Sequence, residues 1–224
     1  MQNENKENFG EKIIGFIQRN RKGIFVSACV IIILLAGLIV FLSLQDVFRK
    51  KAISEVEELN LKYEDLRLLI DDSHYDAEIN TLLSDLDAFI NRNKRGFAGG
   101  KAWSITAGIH SAKKDWQKAE EAWLNAAKSG NKTYLAPLAF FNAAVAAEEL
   151  GKIELAIEHL EKALAHPFEF PSAPRAQFSI GRLYEHLNNY PAAIEAYRTI
   201  LIDWQDIPVW PHLARSRIAA IEAR

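Results

Sequence analysis

Apolar residues are distributed along this chain in two ways: one unbroken run, followed by stripes that recur every third or fourth position. The run covers residues 24–44, IFVSACVIIILLAGLIVFLSL, 21 positions without a charge. At about 1.5 Å per residue a helix of that length reaches about 30 Å, the thickness of a bilayer's hydrocarbon core. The pattern therefore predicts a transmembrane helix, bounded by Arg21 and Lys22 on one side and by Asp46 and Arg49-Lys50-Lys51 on the other. Next, Phe48, Ala52, Val56, Leu59, Tyr63, Leu66 and Ile70 step by fours and threes, and Tyr75, Ile79, Leu82, Leu86, Phe89 and Ile90 repeat the rhythm. Such spacing marks one face of a helix. Asp71-Asp72-Ser73-His74 supplies turn and capping residues between the two stripes. Residues 45–96 are thus expected to form an antiparallel helical hairpin, whose core could equally serve as a first, degenerate unit of the helical series that follows, with coiled-coil dimerisation through the same stripes as the alternative.

The apolar run is too long for a cleaved signal peptide, whose core is about 7–15 residues, so an uncleaved signal anchor is expected. Val26-Ser27-Ala28-Cys29 resembles a lipidation site, yet too few apolar residues precede Cys29 for it to serve as one. Five basic residues flank the run before it (Lys6, Lys12, Arg19, Arg21, Lys22) and four after it (Arg49, Lys50, Lys51, Lys62). That bias favours a cytoplasmic tail, residues 1–23, with the remainder outside. Phe9, Ile13, Phe16 and Ile17 share a helical face, so the tail either lies along the inner leaflet or is a frayed polar end.

Residues 97–224 hold a two-helix pattern three times, at a spacing of 37 residues. Small residues recur at Ala107, Ala144 and Gly181, and again at Ala119, Ala156 and Ala193. Bulky ones recur at Trp123, Leu160 and Tyr197, and turns are marked at Asp115, Gly151 and Asn188-Asn189. Gly99-Gly100 is expected to delay the first helix of the series. These slots resemble the tetratricopeptide repeat, whose usual period is about 34 residues. The surplus here falls between units, at Ser129 to Lys132 and Pro167 to Pro174. Residues 209–223, with Leu213, Ile218 and Ile221 on one side, are expected to form a capping helix. Trp204 and Trp210 either pack beneath it or await a partner. The fold class is all-α: a single transmembrane helix (24–44), a helical hairpin (45–96) and a tetratricopeptide-like α-solenoid (97–224).

Composition adds exclusions. A net charge of −2 with 25% charged residues gives no basic stripe for nucleic acid. The lone Cys29 permits no internal disulfide. The six histidines form no zinc-binding spacing, and no phosphate loop or nucleophile motif is present. No enzyme activity, metal or cofactor is expected, and His110 sits in a core slot as a packed imidazole.

In tetratricopeptide arrays the first helix of each pair lines a concave groove. By position, the resemblance implies groove residues Lys101, Ser104 and Gly108, then Leu138, Phe141 and Val145, then Arg175, Phe178 and Arg182. An apolar middle and a basic last unit suit a peptide with a hydrophobic anchor and an acidic end. The alternative is that Phe141 and Phe178 pack between helices. The family's carboxylate clamp is not matched, because Ser104 and Gly108 stand where Lys and Asn are needed. In layout the chain resembles the YfgM-like ancillary subunits of the protein-export translocon. That resemblance implies a bacterial inner-membrane location, a periplasmic C-terminal domain, and translocon subunits, periplasmic chaperones or secreted clients as partners. An assembly factor of an envelope complex, or a cytoplasm-facing adaptor if the topology is inverted, are the alternatives.

Overall fold

The computed structural model describes residues 2–68 and 75–224, and within them the side chains of residues 14, 16–27, 29–68 and 75–224. Among the described residues all regular elements are α-helices. The chain divides into two compact units, residues 1–51 and 52–224.

The first helix, α1 (Gln2–Arg67), contributes to both units. Asn20 departs from helical angles (φ −108°, ψ 15°), and its amide donates to the Phe16 carbonyl at 3.2 Å. An 18-residue window of this helix has a mean hydropathy of 3.2. Each described side chain from Ile24 to Leu44 is exposed, including Phe25 at 70% and Ile33 at 69%. A helix that is apolar all round needs an apolar surrounding, and this one is long and apolar enough to cross a membrane. Phe16 and Ile17 of the tail are also exposed. Phe9 and Ile13 lie outside the described side chains, and the Asp71–His74 turn lies outside the described residues.

In the second unit, Val56, Leu59, Tyr63 and Leu66 of α1 share one core with Ile79, Leu82, Leu86, Phe89 and Ile90 of α2 (Tyr75–Arg92). The ion pairs Glu55–Arg92 (2.6 Å) and Lys62–Asp85 (3.6 Å) flank that seam. The same core takes in Ala98, Ala102, Ile105 and Ile109 of α3 (Phe97–Ala112). Val56 to Leu66 of the first stripe and Ile79 to Ile90 of the second are therefore buried against their own chain, whereas Phe48 is exposed and Ile70 lies outside the described residues.

Three helix pairs follow: α3 with α4 (Trp116–Ser129), α5 (Leu135–Glu149) with α6 (Ile153–Leu164), and α7 (Ala173–His186) with α8 (Tyr190–Asp203). Gly99 and Gly100 do not delay α3; they lie inside its first turn. A methyl on Gly99 would collide with the Asn93 carbonyl, and one on Gly100 would press on the Gly130 backbone. Glycine is needed there because the preceding loop and the end of α4 cross at that point.

The three turns within pairs are built alike. Lys114, Gly151 and Asn188, 37 residues apart, take φ of 57°, 72° and 57°. The residue after each, at 115, 152 and 189, donates its N–H to a carbonyl five residues back at 2.9 Å. This closes the outgoing helix by a Schellman-type bond. Asp115 and Asn189 then cap the next helix, accepting from the N–H groups of Lys118 (3.4 Å) and Ala192 (3.3 Å). The small slots Ala119, Ala156 and Ala193 are fully buried, letting paired helices approach.

The last helix, α9 (Val209–Glu222), continues the period. Pro137, Pro174 and Pro211 are each 37 residues apart. Ala214 and Ile221 are buried with Tyr197 and Ile200, and Trp204 and Trp210 pack against that core. Leu213, expected on the inner side, is 42% exposed; Ala214 takes its place.

Candidate functional site

The first helices α3, α5 and α7 carry three rows of residues at the 37-residue spacing: Lys101–Leu138–Arg175, Ser104–Phe141–Phe178 and Gly108–Val145–Arg182. The rows differ in what they leave free. Leu138 and Val145 are each 40% exposed, and Arg175 is exposed. Neither Lys101 nor Arg175 forms an ion pair among the described residues.

The middle row is committed to packing. Phe141 is 6% exposed. Its ring meets Phe170 at 5.9 Å between centroids, and the Arg175 guanidinium lies 5.3 Å from its centre. A buried Phe141 therefore offers no face to a ligand; it holds Arg175 in place by a cation–π contact. Phe178 lies between Tyr197 (5.2 Å) and Trp210 (5.9 Å). Ser104 donates its hydroxyl to the Gly100 carbonyl at 2.9 Å. Arg182 grips both carboxylate oxygens of Glu148 at 2.6 Å. Hydrogen bonding to Glu148 holds the Arg182 guanidinium above its ordinary pKa. The basic end expected of the last unit thus rests on Arg175, because Arg182 is already matched.

The arrangement of polar slots explains that match. Ser111, Glu148 and Glu185 are equivalent by period, as are Trp123, Leu160 and Tyr197. In the first unit the Trp123 indole N–H donates to Ser111 Oγ at 3.4 Å; in the third the Tyr197 hydroxyl donates to Glu185 at 2.7 Å. Leu160 has no polar tip, so Glu148 turns to Arg182 across the unit boundary. Glu185 is 9% exposed. Burial alone would raise its carboxyl, but the bonds from Arg217 and Tyr197 hold it below the usual range. Burial, and then Glu185, push the Tyr197 hydroxyl up. A second buried carboxylate, Glu120, binds Lys152 at 2.8 Å and approaches His159 at 3.4 Å, tying α4 to α6. His110 is half-buried, and burial lowers its imidazole pKa.

A wall of the groove comes from outside the repeats. Tyr63 of α1 sits over Gly108, where a methyl would meet its hydroxyl at 3.1 Å. Burial raises the Tyr63 hydroxyl, and Arg67 stacks 5.7 Å from its ring centre. Asn60, Tyr63, Glu64 and Arg67 face Lys101, Ser104 and Leu138 across a cleft of about 410 Å³. On the other side of Leu138, Tyr134, Glu169, Phe170 and Pro171 line a second cleft of about 420 Å³. Leu138 belongs to both. The resemblance implied Lys101, Leu138 and Arg175, which line or border these clefts, but not Tyr63 or Phe170. Tyr63 reads in the sequence as one more residue of the hairpin stripe, and Phe170 lies in the longer link between units. Among the described residues no group of three or more His, Cys, Asp or Glu is placed to hold a metal ion.

Two comparisons bear on this surface. A tetratricopeptide repeat family model matches residues 109–170 and again 141–207. A TPR repeat-containing protein of Treponema pallidum (strain Nichols) is 36% identical over 148 residues, 65% of this chain. The match spans 60% of that relative's length. The chain thus carries tetratricopeptide repeats, and such repeats serve as scaffolds for protein–protein interaction.

Proposed function

We propose that this tetratricopeptide-repeat chain is a membrane-anchored scaffold that receives protein partners in the trough centred on Leu138. The observation that carries the reading is the pairing of two features. The described side chains of residues 24–44 are predominantly apolar and exposed all round, and on the first helices Leu138 stands exposed between two clefts. Anchoring through one helix keeps the repeats beside a bilayer. Five basic residues flank the apolar run before residue 24, against four (Arg49, Lys50, Lys51, Lys62) in the stretch just after residue 44, which supports a cytoplasmic tail and repeats on the far side of a bacterial inner membrane. Partners there are translocon subunits, periplasmic chaperones or emerging secreted chains, and the role is to assist export or folding next to the secretion translocon.

Crosslinking in intact cells tests the partner, with a photo-reactive residue in place of Leu138. Capture of translocon subunits or nascent chains is the expected outcome; capture of a single stoichiometric envelope complex would replace this role with that of a fixed assembly factor. Protease treatment of spheroplasts tests the side. Cleavage of the repeats without lysis is expected, and their survival would make the chain a cytoplasmic adaptor.

A further inference from the structure

The row Lys101–Leu138–Arg175 has a charge pattern of its own: cation, apolar, cation, one residue from the same slot of three successive first helices. All three side chains are at least partly accessible. Lys101 faces the cleft shared with α1, and Leu138 stands between that cleft and the next. Arg175 is steadied over the Phe141 ring, which leaves the edge of its guanidinium, where the N–H donors lie, directed away from the ring face. The other charges nearby are accounted for. Arg67 is paired with Glu64 at 3.0 Å and Arg182 with Glu148. Glu169 lines the second cleft beside Phe170 and Pro171, so that rim disfavours a ligand carboxylate.

We infer that the trough selects an extended peptide segment with one large apolar residue flanked on both sides by carboxylates. The apolar residue sits on Leu138, and the two carboxylates meet Lys101 and Arg175. Helices whose side chains meet, as Phe141 of α5 and Arg175 of α7 do, lie about 10 Å apart, and a chain in the extended polyproline II conformation advances about 3.1 Å per residue with every third side chain on the same face. Crossing from one first helix to the next therefore takes about three residues. The preferred segment has the order acid, two spacers, apolar, two spacers, acid. Phe141, although buried, is a positioning residue for Arg175. This inference rests on the scaffold reading above and specifies what that scaffold accepts.

The test uses the full chain in nanodiscs and three fluorescent seven-residue peptides with serine spacers. The first is Glu-Ser-Ser-Phe-Ser-Ser-Glu, the second replaces its Phe with Ala, and the third replaces both Glu with Lys. The first should bind, the second at least tenfold more weakly, and the third not measurably. The double variant Lys101→Glu with Arg175→Glu should lose at least tenfold for the first peptide and gain the third, with its melting temperature retained. If the charge reversal unfolds the chain, Lys101→Gln with Arg175→Gln takes its place and should weaken the first peptide alone. Phe141→Leu, which removes the cation–π contact, should lower affinity for the first peptide and flatten the salt dependence. Equal binding of the acidic and basic peptides, no binding of the acidic peptide, or displacement of it by peptide-free anionic vesicles would overturn the inference. The crosslinking experiment separates the two levels. Partners captured equally by the wild type and the double variant leave the scaffold standing and remove the charge pattern; no captured partner removes the scaffold itself.

Discussion

At the scale of single residues, backbone conformation and close approach dominate. Lys114, Gly151 and Asn188 occupy one left-handed turn position in three copies. A non-glycine residue there costs about 1–2 kcal/mol, partly offset in glycine's case by greater chain entropy in the unfolded state. Lys114→Gly should therefore stabilise the chain by about 0.5–1 kcal/mol, and Gly151→Ala should destabilise it by about 1 kcal/mol, both read from urea unfolding midpoints. Gly181 is constrained differently. A Cβ there would come within 2.5 Å of the Tyr197 ring, and Tyr197 is fully buried and bonded to Glu185. Overpacking of about 1–3 kcal/mol outweighs the roughly 1 kcal/mol by which alanine surpasses glycine in a helix. Gly181→Ala should lower the melting temperature, and a rise would show that Tyr197 moves aside freely. Gly151 and Gly181 were legible in the sequence because they fall in the recurring turn and small-residue slots. Lys114 was not, since lysine carries no mark of a left-handed turn.

At the scale of helices, the tie between α7 and α9 is the most exposed to test. Arg217 donates to Glu185 through Nε at 2.9 Å, and Tyr197 donates to the same carboxylate. The Arg217 side chain is 43% exposed while that of Glu185 is 7% exposed, so solvent weakens the pair. Arg217→Ala should cost about 1–2 kcal/mol, appearing as faster amide exchange in α9 while α3 to α6 keep their protection. The pH dependence has a definite sign. A carboxyl held below its ordinary value of 4.5 contributes stability above that value and loses it as pH falls through the depressed one. Protection of α9 should drop below about pH 4.5 in the wild type, and the drop should vanish in Glu185→Gln. Tyr197 is shifted upward from 10.0, so its contribution holds below pH 10 and fades in stronger alkali. The helices themselves were readable from apolar periodicity. Their polar ties were not: Glu185, Tyr197 and Arg217 come from three helices, and charge in a sequence does not reveal its partner.

At the scale of the whole chain, two solvents are implied. Among the described side chains, those of residues 24–44 bury nothing against their own unit and suit lipid, while those of residues 52–68 and 75–224 bury a series of cores shared by neighbouring helices. Replacing Ile32 and Leu35 together by lysine adds about 2.5–3.5 kcal/mol each to membrane insertion. The variant should move from the carbonate-resistant pellet to the soluble fraction, and retention in the pellet would argue for attachment by other means. In the repeat array, stability is a sum of units and interfaces. The hairpin of α1 and α2 shares its core with α3, acting as a preceding unit in all but sequence. The sequence left this open, because the stripes of the hairpin suit a free-standing pair, a coiled coil or a first, degenerate unit of the array alike.

Local spacing determined the helical class and the apolar run, because each depends on residues within a few turns of one another; the 37-residue period came from the recurrence of slots along the chain, and the resemblance to the tetratricopeptide repeat supplied the rows assigned to the trough. The tertiary structure decided which members of those rows are free. Phe141 is enclosed by Phe170 and Arg175, Arg182 is matched by Glu148, and Tyr63 arrives from α1 to wall the groove. Exposure and charge pairing are set by residues distant along the chain, and a linear pattern contains no term for them.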